Sequence, residues 1–307
     1  STYPTMRAQA VYILSHDPLV VTGSFASYTA MAQVKKPFTF LYHNPGWIRF
    51  RSIPRYLKLI RHFGPNAQLH FITNEESENR WLRVLGQQAT CLGHNLHVRE
   101  NFFIPGDVPK KYDAVYAATM APYKRIELAR EIERLCFVTY VTHQKSWNLH
   151  EFEPRLRHAD YNAEFLPRED VRTRYQQSNV GLALSASEGA MFSAVEYLLC
   201  GLPLVTTPNR GGRNRYLEPW YSRFADPDPV SVRKSVEYFL ENPPDPWKIR
   251  NTILKKMTAD RRNFVSLLSE SCGVPISNID DEVERIWSGV EGIEKLAIPL
   301  TEVSNIL

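Results

Sequence analysis

Two glutamates, Glu188 and Glu196, stand eight residues apart in EGAMFSAVEYLLCGLPLVTTPNRGG, residues 188–212. Glu188 precedes an apolar, helix-like segment that begins near Met191, and Glu196 lies more than one turn inside that segment. The strand-like run VGLALS comes before it, so the helix would start at the carboxyl end of a strand, where open α/β folds bind ligands. Free N–H groups and the positive end of the helix dipole suit a diphosphate there. We therefore expect Glu188 and Glu196 to accept hydrogen bonds from hydroxyls on the two sides of a bound diphosphate.

A double glycine follows the next strand. The helix-like segment ends at Gly201, LPLVTT is typical of a strand, and NRGGRNR opens a loop at its carboxyl end. Gly211 and Gly212 allow the backbone to approach a ligand without a side chain in the way. Arg210 and Arg213 can supply positive charge in the same loop. The order of strand, acid, helix, acid, strand and double glycine predicts a single ligand site.

Short apolar runs alternate with longer periodic segments along the chain, which is the pattern of α/β proteins. In the first third, AVYIL, FTFLYH and QLHFIT predict strands, and SIPRYLKLIRHFG and ESENRWLRVLGQQ predict helices. The alternation restarts after PGDVPKKYD, residues 105–113, whose prolines, glycine and charges indicate a linker. Beyond it, AVYAA, CFVTYVT and VGLALS predict strands. EDVRTRYQQS, PVSVRKSVEYFLEN and the apolar spacing of Ile126, Ala129, Ile132 and Leu135 predict helices.

This alternation predicts a doubly wound α/β fold with two Rossmann-like domains that face each other across a cleft. We expect residues 1–105 to form a short first domain and residues 106–275 to form a second domain that holds the ligand site predicted above. The amphipathic segment DDEVERIWSGVEGIEKL predicts a helix within 276–307 that can pack back on the N-terminal domain.

The composition limits the classes of function. The chain has 43% hydrophobic and 23% charged residues, typical of a globular protein, and its net charge of +4 does not indicate a nucleic-acid binder. No apolar run approaches the roughly 20 residues that span a bilayer, and the N-terminus lacks the pattern of a signal peptide. The four cysteines and nine histidines show no metal-binding spacing. We therefore expect a cytoplasmic protein without a metal or other cofactor.

The stretch SASEGAMFSAVEYLLCGLPLVTTPNRGG resembles the donor-site signature of retaining glycosyltransferases with the GT-B fold, the large family of sucrose synthase-like and bacterial mannosyl- and glucosyltransferases. YAATMAPYKRIELA is similar to the segment that opens the second domain in that family, and NAEFLPREDVRTRYQQSNVGLALS is similar to the strand, helix and strand that follow. The resemblance covers roughly residues 112–245.

The resemblance implies roles for these residues. Glu188 contacts the transferred sugar, Glu196 contacts the nucleotide ribose, and Lys124 offsets the charge of the diphosphate. The implied reaction is metal-independent glycosyl transfer with retention at the anomeric carbon, in which fixed donors stabilise the leaving diphosphate. The diphosphate lies on backbone amides of Met191, Phe192 and Ser193.

The sequence departs from the family pattern at three points. The family usually has an arginine five residues before the lysine, and Thr119 stands there. Arg125, Arg210 or Arg213 is a candidate replacement, and a base-free donor such as phosphoribosyl diphosphate is an alternative to a nucleotide sugar. Met191 stands where the family often has a small residue, which narrows the pocket. The first domain is shorter than the family norm.

Three further features concern the acceptor and the donor pocket. His43 follows the strand FTFLYH and either binds a sugar or acceptor hydroxyl or is a buried structural histidine. His143 follows CFVTYVT and can line the donor pocket. Arg49–Arg61 carries basic residues between apolar ones, which suits either an anionic acceptor and peripheral contact with an anionic membrane, or a solvated helix.

Three rival hypotheses compete with this one, of which a non-transferase enzyme with the same fold, such as a sugar-nucleotide epimerase, fits the acid pair less well. Asp226 and Asp228 form a DxD, the metal-binding motif of another transferase class, but flanking prolines and a following helix favour a loop and an N-cap. A catalytically silent binding module of the same fold within a larger protein is the third. We predict a hexosyl- or pentosyltransferase that uses a sugar diphosphate, expected to be a nucleotide sugar, and a glycan or lipid-linked acceptor in polysaccharide or glycoconjugate assembly.

Overall fold

The computed structural model describes residues 10–23, 31, 34–43, 53–62, 66–141 and 144–303. The chain divides into two compact units. The first contains the described residues up to Arg99 together with those from Met257 onward, and the second contains Glu100–Lys256. The boundaries predicted after residues 105 and 275 lie later in the chain than these.

The first unit is built on a six-stranded sheet. Its strands are β1 (Ala10–His16), β2 (Leu19–Gly23), β3 (Phe38–His43), β4 (Ala67–Thr73), β5 (Gln88–Cys91) and β12 (Ala297–Pro299), in the order β12-β1-β2-β3-β4-β5. Strands β2 to β5 run parallel, whereas β1 pairs antiparallel with both β2 and β12. The strand prediction missed β2, which turns back directly from β1 in a tight hairpin.

Apolar side chains cover both faces of this sheet. On one face, Phe40 and Phe71 belong to a core cluster that also includes Tyr56 of α1 (Ile53–His62) and Leu82 of α2 (Glu76–Val84). On the other face, Tyr12 and Leu41 pack in a second cluster that includes residues near the C-terminus. Strands buried on both faces read as continuous apolar runs, as FTFLYH does.

The second unit contains a fully parallel sheet. Its strands are β6 (Tyr112–Ala117), β7 (Leu135–Val138), β8 (Asp160–Tyr161), β9 (Ser178–Ala183), β10 (Leu204–Thr206) and β11 (Ser222–Phe224), in the order β11-β10-β9-β6-β7-β8. Helices α3 (Leu149–Phe152), α4 (Arg168–Gln176) and α5 (Phe192–Leu199) lie between successive strands, and α6 (Pro229–Glu241) follows β11. Because all six strands are parallel, the loops at their carboxyl ends lie along one edge.

The longest helix, α7 (Pro246–Cys272), begins in the second unit and ends in the first. Arg250 donates to the Phe103 carbonyl in the second unit, and Phe264 and Leu268 belong to the second core cluster of the first unit. The sequence predicts that residues 257–275 belong to the second domain, which is wrong. Their apolar side chains complete the core of the first unit.

The C-terminal helix α8 (Ile279–Trp287) was predicted as a longer element. Ile286 and Trp287 are buried in the second core cluster of the first unit. The helix ends at Trp287, and a 3₁₀ turn over Gly292–Leu296 leads into β12. The described part of the chain contains no helix that is long and apolar enough to cross a membrane.

Two other sequence predictions have clear outcomes. The helix predicted from Ile126 to Leu135 is wrong: a 3₁₀ turn covers Ile126–Ala129, and Leu135 begins β7. Asp228 is the N-cap of α6 and accepts a hydrogen bond from the Ser231 amide, as predicted for a loop and cap. The predicted fold class, α/β with two Rossmann-like units, is confirmed.

Candidate active site

A buried ion pair lies at the carboxyl edge of the second sheet. Lys124 ends a 3₁₀ turn that follows β6, and Glu188 lies in the loop that follows β9. The Lys124 ammonium donates to both carboxylate oxygens of Glu188, at 2.8 Å to Oε1 and 2.6 Å to Oε2. The two side chains are only 9% and 16% exposed. Two residues 64 positions apart in the chain are thus brought together where neighbouring strands end.

Backbone hydrogen bonds hold the loops of this pair together. The Tyr116 hydroxyl donates to the Lys124 carbonyl at 2.5 Å, and the Ala186 amide donates to the Tyr123 carbonyl at 2.8 Å. The Glu188 amide donates to the Arg210 carbonyl at 2.9 Å, which joins the β9 and β10 loops. The positions of Lys124 and Glu188 are therefore set by three adjacent strands.

Gly211 is required by its close approach to Glu188. Its φ of 116° lies in the region that side chains with a Cβ rarely adopt. A Cβ at this position would lie 2.2 Å from the Glu188 carbonyl oxygen. Glycine at position 211 therefore leaves room for the Glu188 backbone. Gly212 begins the 3₁₀ turn that follows.

Two of the predicted phosphate-binding arginines instead tie the strand ends together. Arg213 is 2% exposed and donates to the Ser185 and Thr207 carbonyls and the Thr206 hydroxyl. Arg125 donates to the Leu184 carbonyl at 2.7 Å. Burial lowers the Arg213 pKa to about 10. Both guanidinium groups are engaged with the protein itself, whereas the Arg210 side chain is exposed.

The start of α5 lies close to the end of β6. Met191 is its N-cap residue, is 3% exposed and makes no side-chain capping bond. Phe192 and Ser193 form the first turn, and the Ser193 hydroxyl donates to the Ala117 carbonyl at 3.4 Å. Thr119 lies half-buried in the loop after β6. The amides at the start of α5 have no helical acceptors of their own, which suits an anion.

Glu196 is buried inside this unit rather than exposed at its edge. Its side chain lies on α5 and accepts a hydrogen bond from the Tyr175 hydroxyl of α4 at 3.1 Å. Burial raises the Glu196 pKa to about 7, although the Tyr175 hydrogen bond acts in the opposite direction. A carboxyl that titrates near neutrality can change its affinity for hydroxyl groups within the ordinary pH range.

Three remaining candidates are His43, His143 and the Arg49–Arg61 segment. His43 is 4% exposed in the first unit, where it contacts His94 and His97. His143 lies outside the described residues, as do residues 49–52 of the Arg49–Arg61 segment. In the described helix α1, Lys58 and Arg61 are exposed.

An aromatic group at the ends of β7 and β8 was missed by the sequence. The rings of Tyr140 and Phe165 stack with centroids 6.0 Å apart, and Trp147 meets Phe165 edge-on at 5.1 Å. Asn162 bonds to the Thr139 amide and carbonyl and fixes the two strand ends to each other. Phe165 is nevertheless 42% exposed. Burial raises the Tyr140 pKa, and the nearby Glu188 carboxylate adds to this shift.

Among the described residues, no group of three or more His, Cys, Asp or Glu side chains has an arrangement that could hold a metal ion.

Residues 162–256 match the family model of group 1 glycosyl transferases. This segment contains Glu188, Glu196 and Gly211, and it begins after Lys124. No curated protein sequence matches the chain significantly.

Several solved structures resemble the chain over most of its length. Sucrose-phosphate synthase from Thermosynechococcus elongatus is 15% identical with a TM-score of 0.56, over 83% of this chain and 72% of that one. Anabaena HepE in complex with UDP-glucose is 11% identical with a TM-score of 0.58, over 81% and 78%. AviGT4, a glycosyltransferase of avilamycin A biosynthesis, is 12% identical with a TM-score of 0.54, over 81% and 79%. The chain shares the fold of these GT-B glycosyltransferases.

Proposed function

We propose that this protein is a retaining, metal-independent glycosyltransferase that moves a sugar from a nucleotide-sugar donor to a glycan or lipid-linked acceptor. The observation that carries the proposal is the Lys124–Glu188 pair, buried at the carboxyl edge of a parallel sheet beside the start of α5. An acid for sugar hydroxyls, a cation for phosphates and free helix amides meet the needs of a sugar diphosphate.

The reaction breaks the bond between the anomeric carbon and the diphosphate oxygen, and the diphosphate leaves with the electron pair. The acceptor oxygen forms the new bond on the same face of the sugar, and its proton passes to the leaving diphosphate oxygen. Lys124 and the amides of Met191 to Ser193 offset the charge that develops on the leaving oxygen, while Glu188 orients the sugar. A Lys124 that already bonds Glu188 must reorient, or share its protons, when the diphosphate binds.

The exposed ring of Phe165 supports a donor that carries a base. Bases stack readily on aromatic side chains, and this ring is held in place by Tyr140 and Trp147. Two of the similar structures, both of Anabaena HepE, contain UDP and UDP-glucose. In our proposal, Glu196 turns from Tyr175 to the ribose when the donor binds.

The acceptor side of the proposal concerns the first unit. Helix α1 buries Tyr56 in the sheet core and exposes Lys58 and Arg61, so its outer face is basic. A basic face with apolar neighbours supports an anionic or lipid-linked acceptor and peripheral contact with anionic lipid on the cytoplasmic side. His43 would contribute a hydrogen bond to a hydroxyl in this unit.

A thermal-shift panel tests the proposal. UDP, UDP-glucose, the corresponding guanosine and adenosine compounds and phosphoribosyl diphosphate are added with and without EDTA. A ligand at 100 times its dissociation constant stabilises the folded state by about 2.7 kcal/mol. We expect one nucleoside diphosphate series to stabilise the protein equally with EDTA, and Glu188→Gln to weaken the sugar-bearing member selectively.

The matched control is Glu241→Gln, which changes an exposed acid of the same unit. If only phosphoribosyl diphosphate stabilises the protein, the donor is a base-free sugar diphosphate and not a nucleotide sugar. Stabilisation without transfer of sugar to any acceptor or to water would favour the silent binding module. Loss of the effect in EDTA would contradict metal independence.

A further inference from the structure

Three histidines and a tryptophan form a buried cluster in the first unit. His43 ends β3, His94 and His97 begin and end a 3₁₀ turn, and Trp287 ends α8. Their exposed fractions are 4%, 8%, 1% and 2%, respectively. The His43 ring meets the rings of both other histidines at centroid distances of 4.7 Å. Buried imidazoles in such close contact must be neutral, so each ring has one nitrogen that donates a hydrogen bond and one that accepts.

The hydrogen bonds of the cluster determine which ring nitrogen holds each proton. The Trp287 indole N–H can only donate, and it lies 3.2 Å from Nδ1 of His97. Nδ1 of His97 is therefore the acceptor, and a neutral ring then holds its proton on Nε2. That Nε2 lies 3.2 Å from Nε2 of His43, which must accept. The proton of His43 is left on Nδ1.

The surroundings keep these rings neutral. Burial lowers the pKa of His43 and of His97 well below the ordinary value, and the nearby His94 lowers both further. Arg261, whose guanidinium lies over the Trp287 ring at 5.2 Å, lowers the His97 pKa further. Protonation of His97 on Nδ1 would also place its proton against the indole N–H.

The last nitrogen in this series of hydrogen bonds is Nδ1 of His43. Nδ1 of His43 is buried and has no hydrogen-bond partner in the described part of the protein. Buried donors are nearly always paired, so an unpaired one calls for an explanation. It lies at the carboxyl end of a parallel strand, the edge where open α/β sheets bind ligands.

We infer that Trp287 and His97 are positioning residues that hold His43 as the Nδ1–H tautomer, so that it presents a hydrogen-bond donor to an oxygen atom of a bound substrate. The substrate part of this inference rests on the proposed function, whereas the tautomer follows from the hydrogen bonds alone. A fixed tautomer matters because an imidazole in the other form would present a lone pair to the same oxygen and repel it.

Long-range ¹H–¹⁵N correlation spectra of the histidine rings test the inference on the full chain without ligand at neutral pH. His43→Gln and His97→Gln identify the two sets of signals. The expected result is a proton on Nδ1 of His43 and on Nε2 of His97. A wild-type His43 with its proton on Nε2 would overturn the inference, and this measurement needs no variant that might misfold.

Trp287→Phe keeps an aromatic ring in place and removes only the indole N–H. Both His43 and His97 are expected to become mixtures of tautomers. His94 is the internal control, because its Nε2 lies 3.2 Å from the Ile72 carbonyl, which can only accept, and it makes no bond to Trp287. Unchanged His43 signals in a folded Trp287→Phe protein would contradict the positioning role.

A kinetic measurement separates positioning from a purely structural role. If only the Nδ1–H form binds substrate, the apparent affinity falls in proportion to the fraction that remains in this form. With UDP-glucose as donor, kcat/KM of Trp287→Phe should fall in proportion to the fraction of His43 that the spectra show in the Nδ1–H form. An unchanged kcat/KM with a shifted tautomer would contradict the substrate contact, and an absence of transfer in the wild type would count against the proposed function alone.

Discussion

At the scale of single residues, the site depends on a buried charge pair and on the glycine beside it. Lys124 and Glu188 satisfy each other in the absence of ligand, with two hydrogen bonds shorter than 3 Å. Removing one member of a buried pair leaves an unpaired buried charge, which costs more than the intact pair contributes. The pair is therefore a stabilising element as well as a candidate for binding the donor.

Lys124→Met is expected to lower the free energy of unfolding by about 3 kcal/mol, because the Glu188 carboxylate is left buried without its cation. Adding Glu188→Gln to this variant should recover much of the loss. Urea unfolding of the wild type, the two single variants and the double variant measures the coupling. Strict additivity of the two losses would show that the two side chains do not interact in solution.

Gly211→Ala is expected to destabilise the protein by more than the roughly 1–3 kcal/mol of an unfavourable backbone conformation, because its Cβ would also overlap the Glu188 carbonyl. Gly86→Ala is the matched control, since Gly86 also has a positive φ but nothing lies within 4 Å of its Cβ. The difference between the two losses in urea unfolding measures the overlap together with the less favourable backbone region of Gly211, whose φ and ψ are 116° and 177°. Equal losses would show that the β10 loop moves away from Glu188 at no cost.

At the scale of elements, helices α4 and α5 meet through a carboxyl group. Tyr175 and Glu196 join the two helices on one side of the second sheet, and the adjacent Tyr197 packs against Gly181 of β9. The position of Glu196 within α5 thus serves the packing of the unit in the absence of ligand. Its raised pKa is the consequence of that position.

Stability of the second unit should fall as pH rises from about 4.5 to 7. The Glu196 carboxyl has a pKa of about 7 in the folded protein and an ordinary value of 4.5, so the unfolded chain loses its proton first as pH rises. The shift corresponds to roughly 3 kcal/mol that is present at acid pH and lost above the folded pKa. Glu196→Gln should remove this dependence, and its stability relative to wild type should increase from pH 5 to pH 8 in urea unfolding. A constant difference would contradict the raised pKa.

At the scale of the whole molecule, the two units should respond to acid in opposite ways between pH 7 and pH 5. The first unit buries neutral histidines, whose pKa values are lowered, and the second buries Glu196, whose pKa is raised. A lowered histidine pKa contributes stability that is present above its unfolded value and lost as pH falls.

Burial lowers the His94 pKa to about 4 from its ordinary value of 6.5, so acid should unfold the first unit preferentially. Hydrogen exchange, corrected for intrinsic rates, should show less protection of β3 and β4 at pH 5 than at pH 7, and no comparable loss in β6 and β9. His94→Gln should reduce the loss, whereas His62→Gln, at an exposed position on α1, should not. Equal loss in both units would contradict the separation.

The sequence by itself determined the fold class and the order of the acid, helix, acid and glycine motif. Hydrophobic alternation and local turn residues are short-range properties, so strands such as FTFLYH and the cap at Asp228 could be predicted from neighbours in the chain. The resemblance of the motif to retaining glycosyltransferases agrees with the family model that matches residues 162–256.

Only the tertiary structure decided which of the candidate charged residues bind to other parts of the protein. Arg125 and Arg213 bind carbonyl groups of neighbouring strands, and Glu196 bonds Tyr175, because long-range packing determines where a side chain finds its partner. The sequence also gave no signal that α7 continues into the first unit, since a helix is recognised from its own residues and its core from residues far away in the chain.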